Sequence, residues 1–515
     1  MLFWETSILI NADFMWHFLS NSLKMRNADL ILNRKQESTL FGGKMVFSSL
    51  IFAFFFLPVV LILYYLSKEK YRNYILLIAS LYFYSYGEPK FVFVMAGSIL
   101  CNYIMALLVD KLRGKSLSKI LLAVDVVINI GVLFIYKYLD FAIDATNKIF
   151  KTQLQLVGIA LPIGISFFTF QALSYVIDVY RGTVKVQKNP LYVALYISFF
   201  PQLIAGPIVR YSTIEEQIGH RECTVDLFAE GARRFMLGFG KKVILANNLA
   251  LVAQSAFSCD VRTANVLYLW LGAICFSLQI FYDFSGYSDM AIGLGKIFGF
   301  NFEENFNYPY ISKSVTEFWR RWHISLSQWF RDYVYIPLGG SRVSWGRHIF
   351  NMFVVWILTG IWHGANYTFI AWGMGYFILL VIEKFLIKPS ERKNIVFRII
   401  WQIITLICVN FGWVVFNSPT LLSGIGYCLA MLGRYEHNIS IDSVLIYNLH
   451  QYGVFIILGI LFSTPIMKVI KEKIDTTRVS YITAVIEPLG YGLMLLWGVS
   501  FLILGAHNPF IYFNF

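Results

Sequence analysis

Two histidines stand where they could move a proton. His323 lies in NFNYPYISKSVTEFWRRWHISLSQWFRDYVYIPLGGSR, residues 305–342, and His363 in IWHGANYTF, residues 361–369. Near neutral pH an imidazole can take a proton from an attacking hydroxyl and return it to a leaving group, which is the chemistry of acyl transfer. His363 closes an apolar run, and Gly364 and Ala365 after it leave room for another backbone or a substrate. It is a candidate general base, with a structural hydrogen-bonding role as the other reading of a lone histidine. His323, among Arg and Trp residues, either orients a donor or lines its passage, or else simply packs. Arg320 and Arg321, with Trp322, are candidates to hold an anionic donor at a cytoplasmic mouth, although lipid phosphate suits the two arginines equally well. Of the other histidines, His17 precedes the expected start, and His220, His348, His437, His450 and His507 fall in polar loops or near helix ends and read as structural.

The elements that position these residues are membrane helices. The 515-residue chain is 57% hydrophobic and only 14% charged, against roughly 25% charged for soluble domains. Uncharged apolar runs such as residues 46–66 are long enough to cross the hydrocarbon core, and they do not alternate as barrel strands would. The expected class is an all-α integral membrane protein, a multi-pass bundle of about ten to twelve membrane segments with re-entrant and interfacial helices around a central funnel or tunnel. The apolar runs lie near residues 46–66, 74–86, 91–109, 120–139, 159–179, 191–204, 235–256, 267–281, 349–362, 369–386, 399–416, 447–469 and 481–504, and several of these are too short to span. Pro162, Gly164, Pro201 and Pro207 interrupt apolar runs, and broken backbone at membrane depth needs protein or a water-filled cavity around it. Residues 315–335 carry Phe318, Trp322, Leu326, Trp329 and Tyr333 at helical spacing and are expected to form an amphipathic helix in the interface or dipping into the bilayer.

The net charge of +13 does not imply a nucleic-acid partner, because the basic residues sit in short loops. By the positive-inside rule, loops 68–72, 111–119, 181–188, 313–347, 384–398 and 468–478 read as cytoplasmic. Residues 1–44 hold no long apolar span; Gly42-Gly43-Lys44 before Met45 reads as a translated ribosome-binding site, so the start is expected at Met45 and the single membrane domain at 45–515, with a genuine N-terminal extension as the other reading. The six cysteines form no CxxC pair and read as small buried hydrophobes. No His, Cys or Asp cluster has zinc spacing. Gly286-Tyr-Ser-Asp-Met lacks the last glycine of a GxSxG elbow; Gly295 and Gly299 are better read as small residues in helix packing. Asp283, Ser285, Tyr287 and Asp289 of FYDFSGYSDM are near-membrane polar groups, for which pairing with Arg320, Arg321 or Arg331 is at least as good a reading as chemistry.

An ordered series of blocks, PIGISFFTFQALSYVIDVYRG, FPQLIAGPIVRY, FYDFSGYSDMAIG, the 305–340 block, TGIWHGANYTF and the terminal NPFIYFNF, resembles the membrane-bound O-acyltransferase family, in particular its bacterial alginate O-acetylation branch. The resemblance covers nearly everything from Met45 to the end. It implies a funnel-like bundle in which an acyl group from the cytoplasm meets an acceptor from the other side, with His363 on the family's near-invariant histidine and His323 on the second histidine of the bacterial branch. It also implies acetyl-CoA or an acyl-carrier thioester as donor with no tightly bound cofactor, a polysaccharide acceptor, an extracytoplasmic SGNH-type partner, and a place among the lipids of a bacterial inner membrane. The YIPLGG run at 335–340 favours acetyl over D-alanyl transfer to teichoic acid. Readings from other classes are a polysaccharide or ion transporter, which would need a gradient, and a scaffold for the partner, which would need neither histidine.

Overall fold

The computed structural model describes residues 45–392, 394–435, 442–475, 480–505, 508 and 511. Residues 1–44, with His17 and the expected start boundary, lie outside these, as do His437, His507 and most of the terminal NPFIYFNF. Among the described residues every regular element is helical. The first are α1 (Phe52–Leu66), α2 (Glu69–Gly87), α3 (Val92–Lys111) and α4 (Ser116–Phe150). Then come the shorter α5 (Ile165–Arg181) and α6 (Pro190–Ser198), and the long α7 (Val225–Ser258) and α8 (Val266–Ile297). The short α9 (Val315–Arg321) and α10 (Ile324–Phe330) precede α11 (Trp345–His363), α12 (Tyr367–Ile387) and α13 (Ile395–Asn417). Last are α14 (Leu421–Met431), α15 (Ser443–Phe462) and α16 (Ser480–Ile503). Eight of these, α3, α4, α7, α8, α12, α13, α15 and α16, are long and apolar enough to cross a membrane. The protein is a multi-pass helical membrane protein.

Helices α7 and α8 are mostly buried, whereas the other six keep most of their surface outward. Outward residues such as Ile457 and Leu493 are apolar and suit a lipid surround. The inner pair is held by two glycine contacts. A Cβ on Gly231 would lie 2.5 Å from the Gly293 carbonyl oxygen, and one on Gly286 would lie 2.8 Å from that of Gly238. Each helix carries its glycines seven residues apart, and the pairing runs in opposite order along the two chains, so the backbones touch in an antiparallel crossing. Gly295 and Gly299, expected to serve this purpose, do not: Gly295 abuts the Phe302 ring, and Gly299, at φ +81°, turns the chain beside Glu222.

Both inner helices outrun their expected apolar segments, α7 at its start and α8 at its end. The polar stretch FYDFSGYSDM stays helical because its charges are neutralised inside the bundle. Asp283 meets Lys242 at 2.5 Å, and Asp289 meets both Arg234 and Lys241 at 2.6 Å. The partners therefore come from α7, and the expected pairing with Arg320, Arg321 or Arg331 is corrected. Nothing in the local sequence of α8 announces them.

The broken backbone lies where the prolines place it. Residues 151–164 are non-helical, and Gly164, at φ +74°, passes so close to Leu203 that a Cβ would stand 2.6 Å from its carbonyl oxygen. Around Pro201 and Pro207 the buried chain satisfies its polar groups locally. Gln202 Nε2 donates to the Tyr196 carbonyl at 2.6 Å, Tyr196 Oη to that of Val209 at 3.0 Å, and the Ile208 N–H to Ser325 Oγ at 3.0 Å.

Residues 315–335 are not one helix. Phe318, Trp322, Leu326 and Trp329 are all buried, so the segment dips into the bundle, and it turns a corner between α9 and α10 at His323. The corner exists because Trp322 is extended and His323 is left-handed, at φ 44°. The Glu383 carboxylate, projecting from α12, accepts from the N–H groups of Val315 and Thr316 at 2.7 and 2.8 Å and so satisfies the start of α9.

Candidate active site

His323 occupies a left-handed backbone conformation that a residue with a side chain adopts at a cost of order 1 kcal/mol. It is held there from the 305–310 stretch. The Asn305 carbonyl accepts from the Ile324 N–H at 3.0 Å, and Asn305 Oδ1 accepts from the Ser325 N–H at 3.2 Å and Ser325 Oγ at 2.9 Å. Because a backbone N–H can only donate, the atom facing it is the carboxamide oxygen. The His323 Nδ1 that lies 3.1 Å from the same oxygen must then carry a hydrogen. The Asn305 amide nitrogen is anchored in turn to Ser288 Oγ at 3.1 Å, on α8. In the neutral ring this leaves the lone pair on Nε2, which is buried and meets no hydrogen-bond partner among the described residues. An imidazole fixed in one tautomer with a bare basic nitrogen is equipped to accept a proton or a hydrogen bond.

His363 is the last residue of α11. Its position follows from a close crossing of α11 and α12, where a Cβ on Gly360 would lie 2.5 Å from the Phe369 carbonyl oxygen and one on Gly373 the same distance from that of Trp356. Gly364 then runs extended against the Phe369 ring with no space for a side chain. The imidazole is enclosed by Trp362, Trp372 and Phe416, with ring centroids 5.1, 5.1 and 5.2 Å away. Its Nδ1 is buried without a partner among the described residues. Trp362 links the two histidines, because its ring is also 5.9 Å from that of His323.

Two cavities adjoin His363. One of about 40 Å³ is lined by His363 itself with Trp362, Lys137 and the non-helical chain around Gly164. The other, about 440 Å³, is lined by Gly364, Ala365 and Asn366, together with Gln279, Ser418 and again Lys137. The first is water-sized; the second falls in the range that accommodates a small-molecule group. Lys137, which lines both cavities, is not among the residues that the sequence motifs mark. It is hidden in GVLFIYKYLDF, a run counted as apolar, and the available signal was its charge at membrane depth.

The donor-side candidates separate. Arg321 is committed to Glu317 at 2.8 Å and to the Asn307 carbonyl at 3.0 Å. Trp322 is 3% exposed and packs against Trp413 and Phe318, at 4.7 and 5.6 Å between ring centroids. Arg320 alone of the three is exposed. Among the other histidines, His348 is structural: its Nε2 lies 2.8 Å from Tyr335 Oη and 3.0 Å from Lys384 Nζ.

A multi-pass bundle that places a buried histidine with an unpartnered nitrogen beside a cavity has the form of an enzyme that transfers groups within a membrane. The model of the membrane-bound O-acyltransferase family matches residues 78–425, and the chain belongs to that family. It is a membrane O-acyltransferase. Over 383 residues, 73% of each chain, it is 47% identical to the probable alginate O-acetylase AlgI of Pseudomonas aeruginosa. It is 33% identical to the peptidoglycan O-acetyltransferase of Helicobacter pylori over 76% of this chain and 80% of that one. The teichoic acid D-alanyltransferase of Bacillus subtilis is 32% identical over 50% of this chain and 67% of its own.

Proposed function

We propose that this chain is the membrane subunit of an O-acetyltransferase, acting as one membrane domain over residues 45–515 in a bacterial inner membrane. It takes an acetyl group from a cytoplasmic thioester, acetyl-CoA or an acylated carrier protein, and passes it toward a hydroxyl of a cell-surface or exopolysaccharide. An extracytoplasmic partner of SGNH type completes the transfer. The observation that carries this reading is the position of His363, with an unpartnered Nδ1, on one cavity and directly beside another. By the charge of its flanking loops the larger cavity lies on the far side from the basic 313–347 segment, where an acceptor would arrive. Acetyl is favoured over D-alanyl because the O-acetylase relatives match about three quarters of this chain and the D-alanyltransferase about half.

In this mechanism His363 removes the proton of the acceptor hydroxyl as its oxygen attacks the thioester carbonyl. The tetrahedral intermediate collapses with cleavage of the C–S bond, and the proton goes to the departing thiolate. His323 Nε2 accepts a hydrogen bond that orients the donor, and Arg320 attracts its anionic portion. The closed aromatic wall around His363 excludes bulk water and holds the reactants together.

The test uses inverted membrane vesicles containing the protein and its polymer-producing host machinery, supplied with radiolabelled acetyl-CoA or acetylated carrier protein. Label should enter polysaccharide and persist when an uncoupler abolishes the proton gradient. Label that vanishes with the gradient would favour a transporter.

A further inference from the structure

We propose that Lys137 is a catalytic residue of the acyl transfer, whose ammonium holds the acyl carbonyl oxygen as it becomes an oxyanion. The inference rests on the acyl-transfer reading of the same site and adds an electrophilic group to it.

Lys137 falls in a wide π-turn of α4, Phe134–Tyr138, a distortion common at functional sites. The turn brings two successive side chains to the end of α11. Lys137 Nζ donates to the Trp362 carbonyl at 2.6 Å, and Tyr138 Oη donates to that of Ile361 at 2.8 Å. The Trp362 carbonyl is left open where the helix stops, and the Ile361 carbonyl takes the Tyr138 hydroxyl beside the Gly364 N–H, so capping is the structural role of both residues. Tyr138 shows that a neutral hydroxyl suffices for it.

The ammonium offers more than the cap uses. Of its three N–H groups one serves the Trp362 carbonyl and one Ser166 Oγ at 3.2 Å. Its other contacts are the Tyr138 and Trp362 rings, 5.9 and 5.7 Å from Nζ to the ring centroids, and no third hydrogen-bond acceptor meets it among the described residues. No carboxylate pairs with it there either, in contrast to Lys241 and Lys242, each ion-paired to an aspartate. Lys137 also lines both cavities, the smaller together with His363. Keeping an unpaired ammonium at membrane depth costs several kcal/mol, and a site where negative charge develops during the reaction gives that cost a function. The nearest backbone donor is already occupied, because the Gly364 N–H bonds to the Ile361 carbonyl at 3.1 Å.

The step balances. His363 takes the hydroxyl proton, the new C–O bond forms, and the carbonyl π electrons settle on the oxygen facing Lys137. Reformation of the carbonyl breaks the C–S bond, and the thiolate receives the proton from His363.

The test is the single-turnover rate of acetyl transfer by full-length protein in proteoliposomes with its partner, using acetyl-CoA and acetylated carrier protein as separate donors, for wild type, Lys137→Gln and Lys137→Arg. Lys137→Gln keeps a donor for the Trp362 carbonyl and loses the charge. Its rate should fall about 100- to 1,000-fold, as for removal of an oxyanion-hole donor, with donor KM and melting temperature unchanged, and Lys137→Arg should recover at least tenfold of that loss. A wild-type rate in Lys137→Gln, or loss of folded protein in both variants alike, would leave Lys137 as a cap only and overturn the proposal. His363→Ala run beside them separates the two readings: if it is as active as wild type, the acyl-transfer reading of the site itself fails.

Discussion

Asn305 Oδ1 and His323 Nδ1 lie 3.1 Å apart, and the Ser325 N–H on the same oxygen fixes which of the two nitrogens of His323 carries the hydrogen. Nothing else among the described residues bonds this imidazole. Asn305→Leu should therefore free the ring to adopt the other tautomer and lower acetyl transfer about 10- to 100-fold, the range seen when an orienting partner of a functional histidine is lost. Asn305→Asp, which keeps an acceptor at the same place, should retain more activity than Asn305→Leu. Rates per folded molecule in purified variants check this; equal activity of wild type and Asn305→Leu would show that the tautomer is immaterial.

The crossing of α7 and α8 predicts a contrast between glycines. A Cβ on Gly238 would fall inside contact distance of Gly286, Asp289 and Met290, whereas one on Gly97 meets nothing within 4 Å. Gly238→Leu should cost well over 1–3 kcal/mol, the usual penalty for overpacking, because backbone and not a flexible side chain is in the way. Gly97→Leu should insert and fold normally. Melting in detergent distinguishes them, and similar melting temperatures would refute the proposed close contact.

Asp283 and Lys242 form an ion pair at 2.5 Å with both side chains almost fully buried. Removing one partner strands the other charge, at about 3–5 kcal/mol. Asp283→Asn should thus be poorly folded, and the double variant Asp283→Leu with Lys242→Met should be the more stable of the two. Yield of monodisperse protein after extraction reports the order.

Glu383, 2% exposed, supports the start of α9 through two backbone N–H groups and accepts weakly from Trp401 Nε1 at 3.3 Å. Glu383→Ala leaves those donors unsatisfied, at about 1–3 kcal/mol. Hydrogen exchange at residues 315–323 should accelerate while exchange in α7 stays as in wild type. Unchanged exchange in α9 would mean that this carboxylate does not order the corner at His323.

How far the sequence disclosed this arrangement depends on the range of the interaction. Apolar runs mark α3, α12 and α13 well, because solvation by lipid is a local property. The full extent of α8 is not marked, since Asp283 and Asp289 look like span-ending charges until Lys242, Lys241 and Arg234 are seen beside them. The stripe from Phe318 to Tyr333 has helical spacing, and spacing alone cannot reveal the left-handed residue at His323 that divides it. Both histidines were singled out by type and by resemblance. Lys137 is hard to see in the sequence because the apolarity of a long run outweighs one cation within it, although a charge at that depth is itself the signal.

The central claim is that His363 performs the chemistry. The most direct test is the acetyl content of surface polysaccharide in cells carrying wild type, His363→Ala or His323→Ala, with the amount of each protein in the membrane measured alongside. We expect acetylation to be abolished in His363→Ala and reduced in His323→Ala at unchanged abundance. Full acetylation with His363→Ala would contradict the account and leave a scaffold or transporter in its place.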